Sequence, residues 1–485
     1  MLFNSLPFLI FFVIVTVLYF VLLHKVRWLL LLIASCVFYM FFKPVYILIL
    51  AFTIVVDYFA GILLESEKNM KRRKKFLIMS IVANVSILAV FKYYNFLDSS
   101  VTGLAALFHW HIEIPYLTIL LPIGLSFHTF QAMSYTIEVY RGKQAAEKHF
   151  GIYALYVMFY PQLVAGPIER PQNLLHQFRE KHPFSSQNLI DGLRLMLWGF
   201  FKKVVIADRV SQYANTVFNH PGDYHFGNLI IAVSCFAIQI YADFSGYSDI
   251  AIGAARTMGF DLMINFNRPY QSKSITEFWK RWHISLSTWF KDYVYIPLGG
   301  NKVGIPKWYF NLFIVFLISG LWHGANWTFI LWGALHGFYL IFALLTEKAR
   351  NKIISFTRID KVKWLYNPIQ VITTFSLVTL AWIFFRGNSV SDVGLIIKHI
   401  FTMYHRHPFQ LVLKDPSGAI AFTKSALLIS ILMIGFIVYM ESKVTPLLKG
   451  FNRRPVLDIL FMTLVSVLII LFGVFQNSNF IYFQF

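Results

Sequence analysis

The sequence has little charge for its length. Asp, Glu, Lys and Arg make up 14% of its 485 residues, whereas a typical soluble domain has about 25%. Hydrophobic residues make up 57%, and the mean hydropathy is +0.60. Because one soluble core cannot bury so much apolar surface, the composition excludes an ordinary soluble protein and predicts a membrane protein.

Cysteine and acidic residues are also scarce. The two cysteines, Cys36 and Cys235, lie in apolar stretches and offer neither a disulfide framework nor the spacing of a metal site, so we expect no metal. Lys and Arg outnumber Asp and Glu by 43 to 23. The basic residues occur in short tracts between apolar runs, as in the cytoplasmic loops of membrane proteins, which argues against nucleic-acid binding.

Apolar runs recur along the chain, and a membrane-spanning helix needs about 20 such residues. The convincing runs are 5–23, 28–42, 45–64, 76–97, 117–136, 228–247, 308–322, 326–346, 365–385, 424–440 and 456–476. The stretches 151–166 and 190–206 are apolar but broken or short, and we interpret them as partial or re-entrant segments. The predicted fold is therefore all-α: a polytopic membrane protein with about 11 transmembrane helices plus re-entrant or interfacial helices around a central tunnel.

Lys and Arg predict the orientation of the chain in the membrane. The tract 68–75 contains six basic residues, whereas none lies between Lys92 and Arg141. The tract is therefore predicted to be cytoplasmic, and residues 98–116 are predicted to face outward.

The carboxyl-terminal third follows the same rule. Loops 347–363 and 442–454 are basic and are predicted to be cytoplasmic, which places 387–423 outside. Both termini are then predicted to be extracytoplasmic. The first apolar run, 6–23, lacks the basic start and the cleavage site of a signal peptide, so we interpret it as a retained helix.

We interpret residues 1–485 as a single integral-membrane domain. It comprises N-terminal helices in 1–150, a catalytic core with re-entrant segments in 151–347 and C-terminal helices in 348–485. The middle of the chain mixes apolar residues with polar motifs, and polar backbone survives at membrane depth only inside protein or along a watery cavity. Chemistry is therefore expected there. No internal repeat is visible, which argues against an inverted-repeat transporter.

His323 is the leading catalytic candidate. It lies in SGLWHGANWTFILWGALHG (319–337), inside a predicted span, where an ionisable side chain is costly and often functional. Imidazole titrates near neutrality, so it can take a proton from a hydroxyl and return it. On a continuous helix Asn326 and Trp327 would be its neighbours, and Asn326 could orient the ring or polarise a carbonyl. A buried histidine satisfied by a helix neighbour is the alternative.

His336 is a weaker candidate. On one continuous helix it would lie about 20 Å from His323. We therefore do not expect it to share a site with His323, and packing is the favoured interpretation.

The segment FWKRWHISLSTWFKDYVYIPLGGN (278–301) interleaves aromatic with basic residues. On a continuous helix His283 and Ser287 would share a face, as would Trp282 and Trp289. The pattern predicts either an interfacial amphipathic helix or a re-entrant helix that brings His283 and basic residues to a phosphate-bearing donor. The end of the segment, PLGGN, predicts a turn.

Two shorter motifs add polar residues. Glu169 and Arg170 lie in VAGPIERPQ (164–172) beside a Gly-Pro break, where an ion pair that fixes a re-entrant turn is favoured. YADFSGYSD (241–249) ends an apolar run and predicts either the lining of a tunnel or a polar loop at the interface. The predicted lining residues from all these motifs are Trp322, Asn326, Arg281, Trp282, Ser287, Asp292, Tyr295, Asp243, Ser245, Tyr247, Glu169 and Arg170.

These motifs together resemble one family. The stretches that carry the likeness are LPIGLSFHTFQAMSYTIEVYRG (121–142), FYPQLVAGPIERPQNLLHQF (159–178), YADFSGYSDIAIG (241–253), FNRPY (266–270), 278–301, 319–337 and the ending FIYFQF. In this order they are similar to the alginate O-acetyltransferase branch of the membrane-bound O-acyltransferases, over essentially the whole chain.

The resemblance implies a bacterial inner-membrane O-acyltransferase. It implies that His323, in the WHG motif, is the catalytic histidine and that His283, in RWHISLSTW, is a second polar residue of the site. It further implies no permanently bound cofactor, a cytoplasmic thioester donor such as acetyl-CoA, and a periplasmic SGNH-hydrolase-like partner that acetylates a polysaccharide. A basic cytoplasmic mouth would suit the phosphates of coenzyme A.

Three other functions stay open at this stage. Transfer of a D-alanyl group from a carrier protein to teichoic acid would need a mouth that docks a small acidic protein. A transporter or flippase with His323 in a proton relay would show gradient-driven flux without thioester cleavage. A structural scaffold of a polysaccharide machine would tolerate His323→Ala.

Overall fold

The computed structural model describes residues 1–110, 115–118, 122–164, 166–402, 423–444, 455–475 and 480–483. Throughout these ranges the fold is helical and no strand occurs. The helices form two compact units. The first comprises mainly Met1–Gly199 with Tyr247–Met263, and the second mainly Phe200–Gly246 with Ile264–Ile481.

The first unit begins with long apolar helices and ends with short ones. Its helices are α1 (Leu6–Val21), α2 (His24–Met40), α3 (Ile47–Ser66), α4 (Met70–Leu88), α5 (Tyr94–Leu107), α6 (Leu125–Tyr140), α7 (Phe150–Met158), α8 (Tyr160–Leu163), α9 (Pro171–Leu174) and α10 (Ser186–Phe200). Side-chain caps mark several starts; for example, the Ser5 hydroxyl accepts the Phe8 N–H at the start of α1.

The second unit contains the predicted catalytic motifs. Its helices are α11 (Asp208–Asn219), α12 (Phe226–Thr257, whose last turns belong to the first unit), α13 (Ile275–Arg281), α14 (Ile284–Phe290), α15 (Ile305–His323), α16 (Trp327–Leu345), α17 (Glu347–Thr357), α18 (Lys363–Arg386), α19 (Val390–Thr402), α20 (Lys424–Val444) and α21 (Pro455–Phe472). Short π-helical turns follow α10 and α14, at Phe201–Ala207 and Lys291–Tyr295.

The apolar runs coincide with helices. Each of the eleven predicted spans overlaps one of these helices. Across the described ranges, six helical segments are long and apolar enough to cross a membrane: Pro44–Ser66, Met70–Leu107, Phe226–Thr257, Ile305–His323, Trp327–Leu345 and Lys363–Arg386. Three shorter apolar helices lie within α1, α20 and α21. The chain is therefore a multi-pass membrane protein, and the count of eleven stays a prediction.

Several predicted loops are partly helical. The tract 68–75 is the first turns of α4, residues 98–107 belong to α5, and residues 347–357 form α17. The predicted outer loop 387–423 contains α19, and its residues 403–422 lie outside the described ranges, as do 445–454 of the loop 442–454. Hydropathy detects apolar segments, whereas other residues also form helices, so the sides of the membrane assigned to these segments stay predictions.

The two ambiguous stretches differ from each other. The stretch 151–166 is broken, as predicted, because α7 and α8 are separated at Phe159. The stretch 190–206 belongs to a helical run that is continuous from Ser186 to Asn219, and its assignment as a partial or re-entrant segment stays a prediction. The motif 241–249 is also not a loop, since it lies inside α12.

Candidate active site

The helix that carries His323 ends at that residue. α15 stops at His323, and α16 begins only at Trp327. The Asn326 side chain caps α16 by accepting the Thr328 N–H at 3.0 Å. The helix is therefore broken between the predicted spans 308–322 and 326–346, and Asn326 has a capping role that a Ser, Thr, Asn or Asp at a helix start commonly takes.

Two glycines bring α15 and α16 into backbone contact. A Cβ atom on Gly320 would lie 2.3 Å from the Phe329 carbonyl oxygen, and one on Gly333 would lie 2.2 Å from the Phe316 carbonyl oxygen. Small residues at such positions let two membrane helices approach closely. The two helices therefore pack as a tight hairpin, which places residues of α16 against the carboxyl-terminal end of α15.

Aromatic rings enclose His323. Its ring centroid lies 4.9 Å from that of Trp322, 5.0 Å from that of Trp332 and 5.2 Å from that of Phe385. The imidazole is buried. The predicted neighbour Trp327 is exposed. Besides the adjacent Trp322, the rings around the histidine come from α16 and α18 through tertiary packing.

His283 joins two short helices in a strained conformation. α13 ends at Arg281 and α14 begins at Ile284, and His283 between them has φ 42° and ψ 57°. Non-glycine residues rarely adopt this left-handed conformation, and strain of this kind clusters at functional sites. The predicted shared face of Trp282 and Trp289 was wrong, because no single helix carries both.

The turn at His283 is held by the preceding segment. The Asn265 carbonyl accepts the Ile284 N–H at 2.9 Å, and the Asn265 side chain accepts the Ser285 hydroxyl at 2.6 Å. The Ser287 N–H donates to the His283 carbonyl at 2.9 Å, and the Ser287 hydroxyl to the Trp282 carbonyl at 3.1 Å. These bonds support the left-handed backbone at His283.

His283 and His323 are brought together by Trp322. The His283 ring centroid lies 6.2 Å from that of Trp322, which in turn lies 4.9 Å from that of His323. Phe244 of α12 packs edge-on against His283 at 4.6 Å. Burial lowers the pKa of His283 to about 3, so this imidazole is neutral at physiological pH.

A cavity of about 470 Å³ borders the turns that carry both histidines. Ile284 and Ser287 line it beside His283, and Ser319, one helical turn before His323, lines it from α15. Two exposed lysines, Lys280 and Lys291, also line it. The cavity thus combines a mainly apolar interior with two cationic side chains.

Asp243 belongs to a buried ion network. The Lys203 ammonium lies 2.8 Å from Asp243 and 2.9 Å from Asp208, and Asp243 also accepts the Ile481 N–H at 2.8 Å. The two carboxylates thus neutralise the charge of the buried Lys203 ammonium. Asp243 therefore anchors the turn of α12 that carries Phe244.

Other predicted lining residues of the second unit have local partners. Arg281 pairs with Glu277 at 2.6 Å, and the Trp308 indole donates to the Tyr295 hydroxyl at 2.9 Å. Asp292 lies 3.5 Å from the neighbouring Lys291, Ser245 is buried, and the Trp282 ring lies 5.0 Å from that of Trp382. Of the predicted lining residues in this unit, Tyr295 and Ser287 line the 470 Å³ cavity. A place in a tunnel wall stays a prediction for the others.

The remaining predicted residues lie in the first unit. The Glu169 carboxylate accepts the Met263 N–H at 2.5 Å and the Asn173 amide at 2.6 Å, and burial raises the pKa of Glu169 to about 7. The neighbouring Arg170 is half-buried. The Tyr247 hydroxyl accepts the Phe3 N–H at 3.2 Å. The bonds of Glu169 join two segments of this unit, which suits a structural role.

Sequence reasoning missed five residues around the two histidines. Phe244, Trp332 and Phe385 supply the rings, Asn265 holds the turn, and Lys203 neutralises Asp243. Asn265 offered a signal, since it precedes the polar motif FNRPY inside an otherwise apolar stretch. Lys203 offered another, as a lysine in an apolar run requires a partner.

The sequence matches known proteins over most of its length. A sequence model of the MBOAT, membrane-bound O-acyltransferase family matches residues 145–387. The chain is 40% identical over 385 residues to the probable alginate O-acetylase AlgI of Pseudomonas aeruginosa, covering 78% of this chain and 70% of that protein.

The names of two further relatives give acceptors other than alginate. A peptidoglycan O-acetyltransferase of Helicobacter pylori is 36% identical over 394 residues, covering 76% of this chain and 72% of that protein. A teichoic acid D-alanyltransferase of Bacillus subtilis is 27% identical over 289 residues, covering 55% and 69%. The family match includes both histidines and the cavity between α14 and α15. The chain therefore belongs to the membrane-bound O-acyltransferase family.

Proposed function

We propose that this protein transfers an acetyl group from acetyl-CoA to an acceptor hydroxyl, with His323 as the general base, for O-acetylation of an extracytoplasmic polysaccharide. The observation that carries the proposal is the pair His283 and His323, bridged by Trp322 and bordered by the 470 Å³ cavity. The names of the alginate and peptidoglycan O-acetylating relatives support acetyl as the transferred group.

The proposed reaction is a direct acyl transfer. His323 removes the proton from the acceptor hydroxyl while the hydroxyl oxygen attacks the thioester carbonyl carbon. The tetrahedral intermediate then collapses, the carbon–sulfur bond breaks, and the thiolate leaves with the proton that His323 received. The product is an O-acetyl ester, and the released group is coenzyme A.

His283 is proposed to stabilise the oxyanion of the intermediate. A neutral imidazole carries one N–H that can donate to an oxyanion, and burial keeps the His283 ring neutral. The hydrogen bond from the Ser285 hydroxyl to the Asn265 side chain fixes the turn at His283 before substrate binds. An oxyanion donor is effective when it is held in place in advance in this way. Loss of one oxyanion donor typically lowers the rate by about 10²–10³.

The cavity is proposed to hold the donor. Its volume lies within the range of about 300–1,000 Å³ that small-molecule sites usually have. Lys280 and Lys291 would attract the phosphates of coenzyme A, and the apolar walls would take the pantetheine arm. Ser287 and Ser319 would then lie at the end where the thioester meets the histidines.

The proposal also assigns the donor and the acceptor to opposite sides of the membrane. The chain is placed in the bacterial inner membrane with about 11 spans around a central tunnel and with both termini extracytoplasmic. The acetyl group enters from the cytoplasm and leaves outside to an SGNH-hydrolase-like partner, which acetylates the polysaccharide. The basic loops and the cationic cavity rim support a cytoplasmic donor side.

The test is release of coenzyme A by the purified protein from radiolabelled acetyl-CoA, with and without the candidate partner protein. We expect His323→Ala to lower turnover by at least 10²-fold, since general-base help is worth about 10²–10⁴. His176→Ala is the matched control, because this histidine belongs to the first unit, is exposed and pairs with Glu180.

The outcomes separate the alternatives. A well-folded His323→Ala protein with wild-type turnover would contradict the catalytic assignment. Wild-type protein that releases no coenzyme A from acetyl-CoA but accepts a D-alanyl carrier protein would favour the teichoic acid reaction. Flux of a substrate through liposomes without any thioester cleavage would indicate a transporter.

A further inference from the structure

His336 lies close to the candidate site despite its distance along the sequence. The break between α15 and α16 overturns the separation of about 20 Å that one continuous helix would give. Its ring centroid lies 5.0 Å from that of Trp332, and the ring of His323 also lies 5.0 Å from that of Trp332. One indole therefore touches both histidines.

His336 also contacts a wall of the cavity. The Trp279 indole N–H donates to Nδ1 of His336 at 3.3 Å, and Trp279 lines the 470 Å³ cavity. The two rings meet nearly at right angles, with centroids 4.9 Å apart. A continuous series of contacts thus runs from the cavity wall at Trp279 through His336 and Trp332 to His323.

The hydrogen bond fixes the state of the His336 ring. An indole nitrogen can only donate, so Nδ1 must be the unprotonated, accepting nitrogen. A neutral ring then carries its proton on Nε2. His336 is fully buried, and packing alone would be served as well by a phenylalanine, which has no acceptor. The acceptor is what distinguishes a positioning role from core packing.

We infer that His336 is a positioning residue for the acyl transfer. Its Nδ1 holds Trp279 in the cavity wall, and its ring holds Trp332 against His323, so that the bound thioester and the general base keep their relative geometry. This inference rests on the proposed function of His323 and of the cavity. Displacement of a reacting group by about 1 Å can lower a rate by about 10²-fold, so a residue that touches no substrate can still affect turnover.

The test compares His336→Gln with His336→Phe. The glutamine carbonyl can still accept the Trp279 N–H, whereas the phenylalanine keeps the aromatic packing and loses the acceptor. We expect His336→Phe to lower kcat for coenzyme A release by about 10- to 100-fold, with a much smaller change in KM, and His336→Gln to restore most of the loss. His399→Phe is the matched control, a buried histidine on α19 that is expected to leave kcat unchanged.

In the Trp279→Phe background, which lacks the indole donor, the two His336 variants should have equal kcat values.

A second measurement, amide hydrogen exchange, does not depend on activity. Exchange of residues 275–282 should be faster in His336→Phe than in wild type and His336→Gln. If wild-type protein releases no coenzyme A, the proposed function fails, and this exchange pattern alone decides the inference. Equal exchange in both variants, or a kcat of His336→Phe above that of His336→Gln, would overturn it.

Discussion

Among single residues, His283 combines strain with burial. The left-handed backbone costs about 1–2 kcal/mol for a non-glycine residue, and the bonds from Asn265 to Ile284 and Ser285 offset this. A conformation that a Gly or Asn would adopt more easily is retained with a histidine. The presence of a histidine at position 283 is therefore explained by its side chain and not by the backbone turn.

The buried imidazole of His283 makes stability depend on pH. Its pKa is about 3 in the folded protein and about 6.5 in the unfolded chain. The unfolded state therefore binds the proton more readily, and stability falls as the pH drops from about 6.5 toward 3. We expect this residue to contribute up to about 1.4 kcal/mol per pH unit in that window, measured by thermal unfolding in detergent. His283→Asn should flatten the slope, and an identical slope in both proteins would contradict the burial argument.

The buried Lys203 predicts a second, larger effect. Lys203→Met leaves Asp243 and Asp208 uncompensated inside the protein, so we expect a loss of about 3–5 kcal/mol in the free energy of unfolding. Asp243→Asn should cost less, because Lys203 keeps Asp208 and the amide oxygen can still accept the Ile481 N–H. Thermal unfolding compares both with the exposed control Lys302→Met. An equal loss for Lys203→Met and the control would show that the network adds no stability.

Residue chemistry decided which site residues the sequence could predict. His323 and His283 stand out because ionisable side chains are rare in apolar segments. Asn265, Phe244 and Lys203 could not be assigned, since each acts on a partner that lies far away in the sequence and meets it only after folding. The left-handed turn at His283 was unpredictable for a related reason, because it is held by those tertiary bonds.

At the level of elements, the α15–α16 hairpin sets the geometry around His323. We expect Gly333→Ala to push the two helices apart, because its Cβ would lie 2.2 Å from the Phe316 carbonyl oxygen. Such overpacking typically costs about 1–3 kcal/mol. Trp332, the adjacent residue, contacts His323, so turnover should fall together with the melting temperature.

Gly435→Ala is the control for this change. It lies inside α20, and nothing lies within 4 Å of its added Cβ. Since alanine favours helix more than glycine does, by about 1 kcal/mol, this variant should melt at the same or a higher temperature. Equal melting temperatures and activities for the two alanine variants would show that the hairpin tolerates separation.

Elements were predictable where hydropathy alone defines them. The eleven apolar runs all correspond to helices, since a long apolar run in a membrane has few other conformations. The helices α17 and α19 were not predicted, whereas the break after His323 agrees with the predicted spans, which end at 322 and resume at 326. An asparagine cap and the close helix approach at Gly320 and Gly333 produce that break.

For the whole molecule, the parity of membrane crossings limits the topology. The predicted span 117–136 leads from the outer segment 98–116 back to the cytoplasmic side at Arg141, and the basic loop 347–363 is also predicted to be cytoplasmic. Only three of the predicted spans, 228–247, 308–322 and 326–346, lie between them. Two loops on the same side require an even number of crossings, so one more crossing is needed.

The helical run of α10 and α11 is the best candidate for the missing crossing. It is continuous from Ser186 to Asn219, a length of about 50 Å against a hydrocarbon core of about 30 Å. Its charged residues lower its hydropathy, so the sequence pattern did not identify it as a span. Lys203 and Arg194 are buried and paired with Asp243 and Asp191, as intramembrane charges usually are.

A labelling experiment distinguishes this crossing from a re-entrant segment. In a background with Cys36→Ser and Cys235→Ser, an impermeant maleimide should label Asp223→Cys in intact cells, but Lys181→Cys only after permeabilisation. Both positions are exposed and flank the run. Ser99→Cys and Ser66→Cys, both exposed and both before the run, serve as the outward and cytoplasmic references. If labelling of Asp223→Cys also requires permeabilisation, both ends of the run lie on the cytoplasmic side. The orientation of the later helices is then reversed.

The crossing has a direct consequence for transfer of the acetyl group. With it, residues 258–304 would lie on the cytoplasmic side, and Lys280 and Lys291 would face the proposed cytoplasmic donor. α15 then runs outward and ends at His323, and α16 returns, which places the turn 324–326 toward the outside. The cavity contacts both Lys280 and Ser319. A donor bound from the cytoplasm would thus meet, near the end of α15, the histidine that is closest to the extracytoplasmic acceptor.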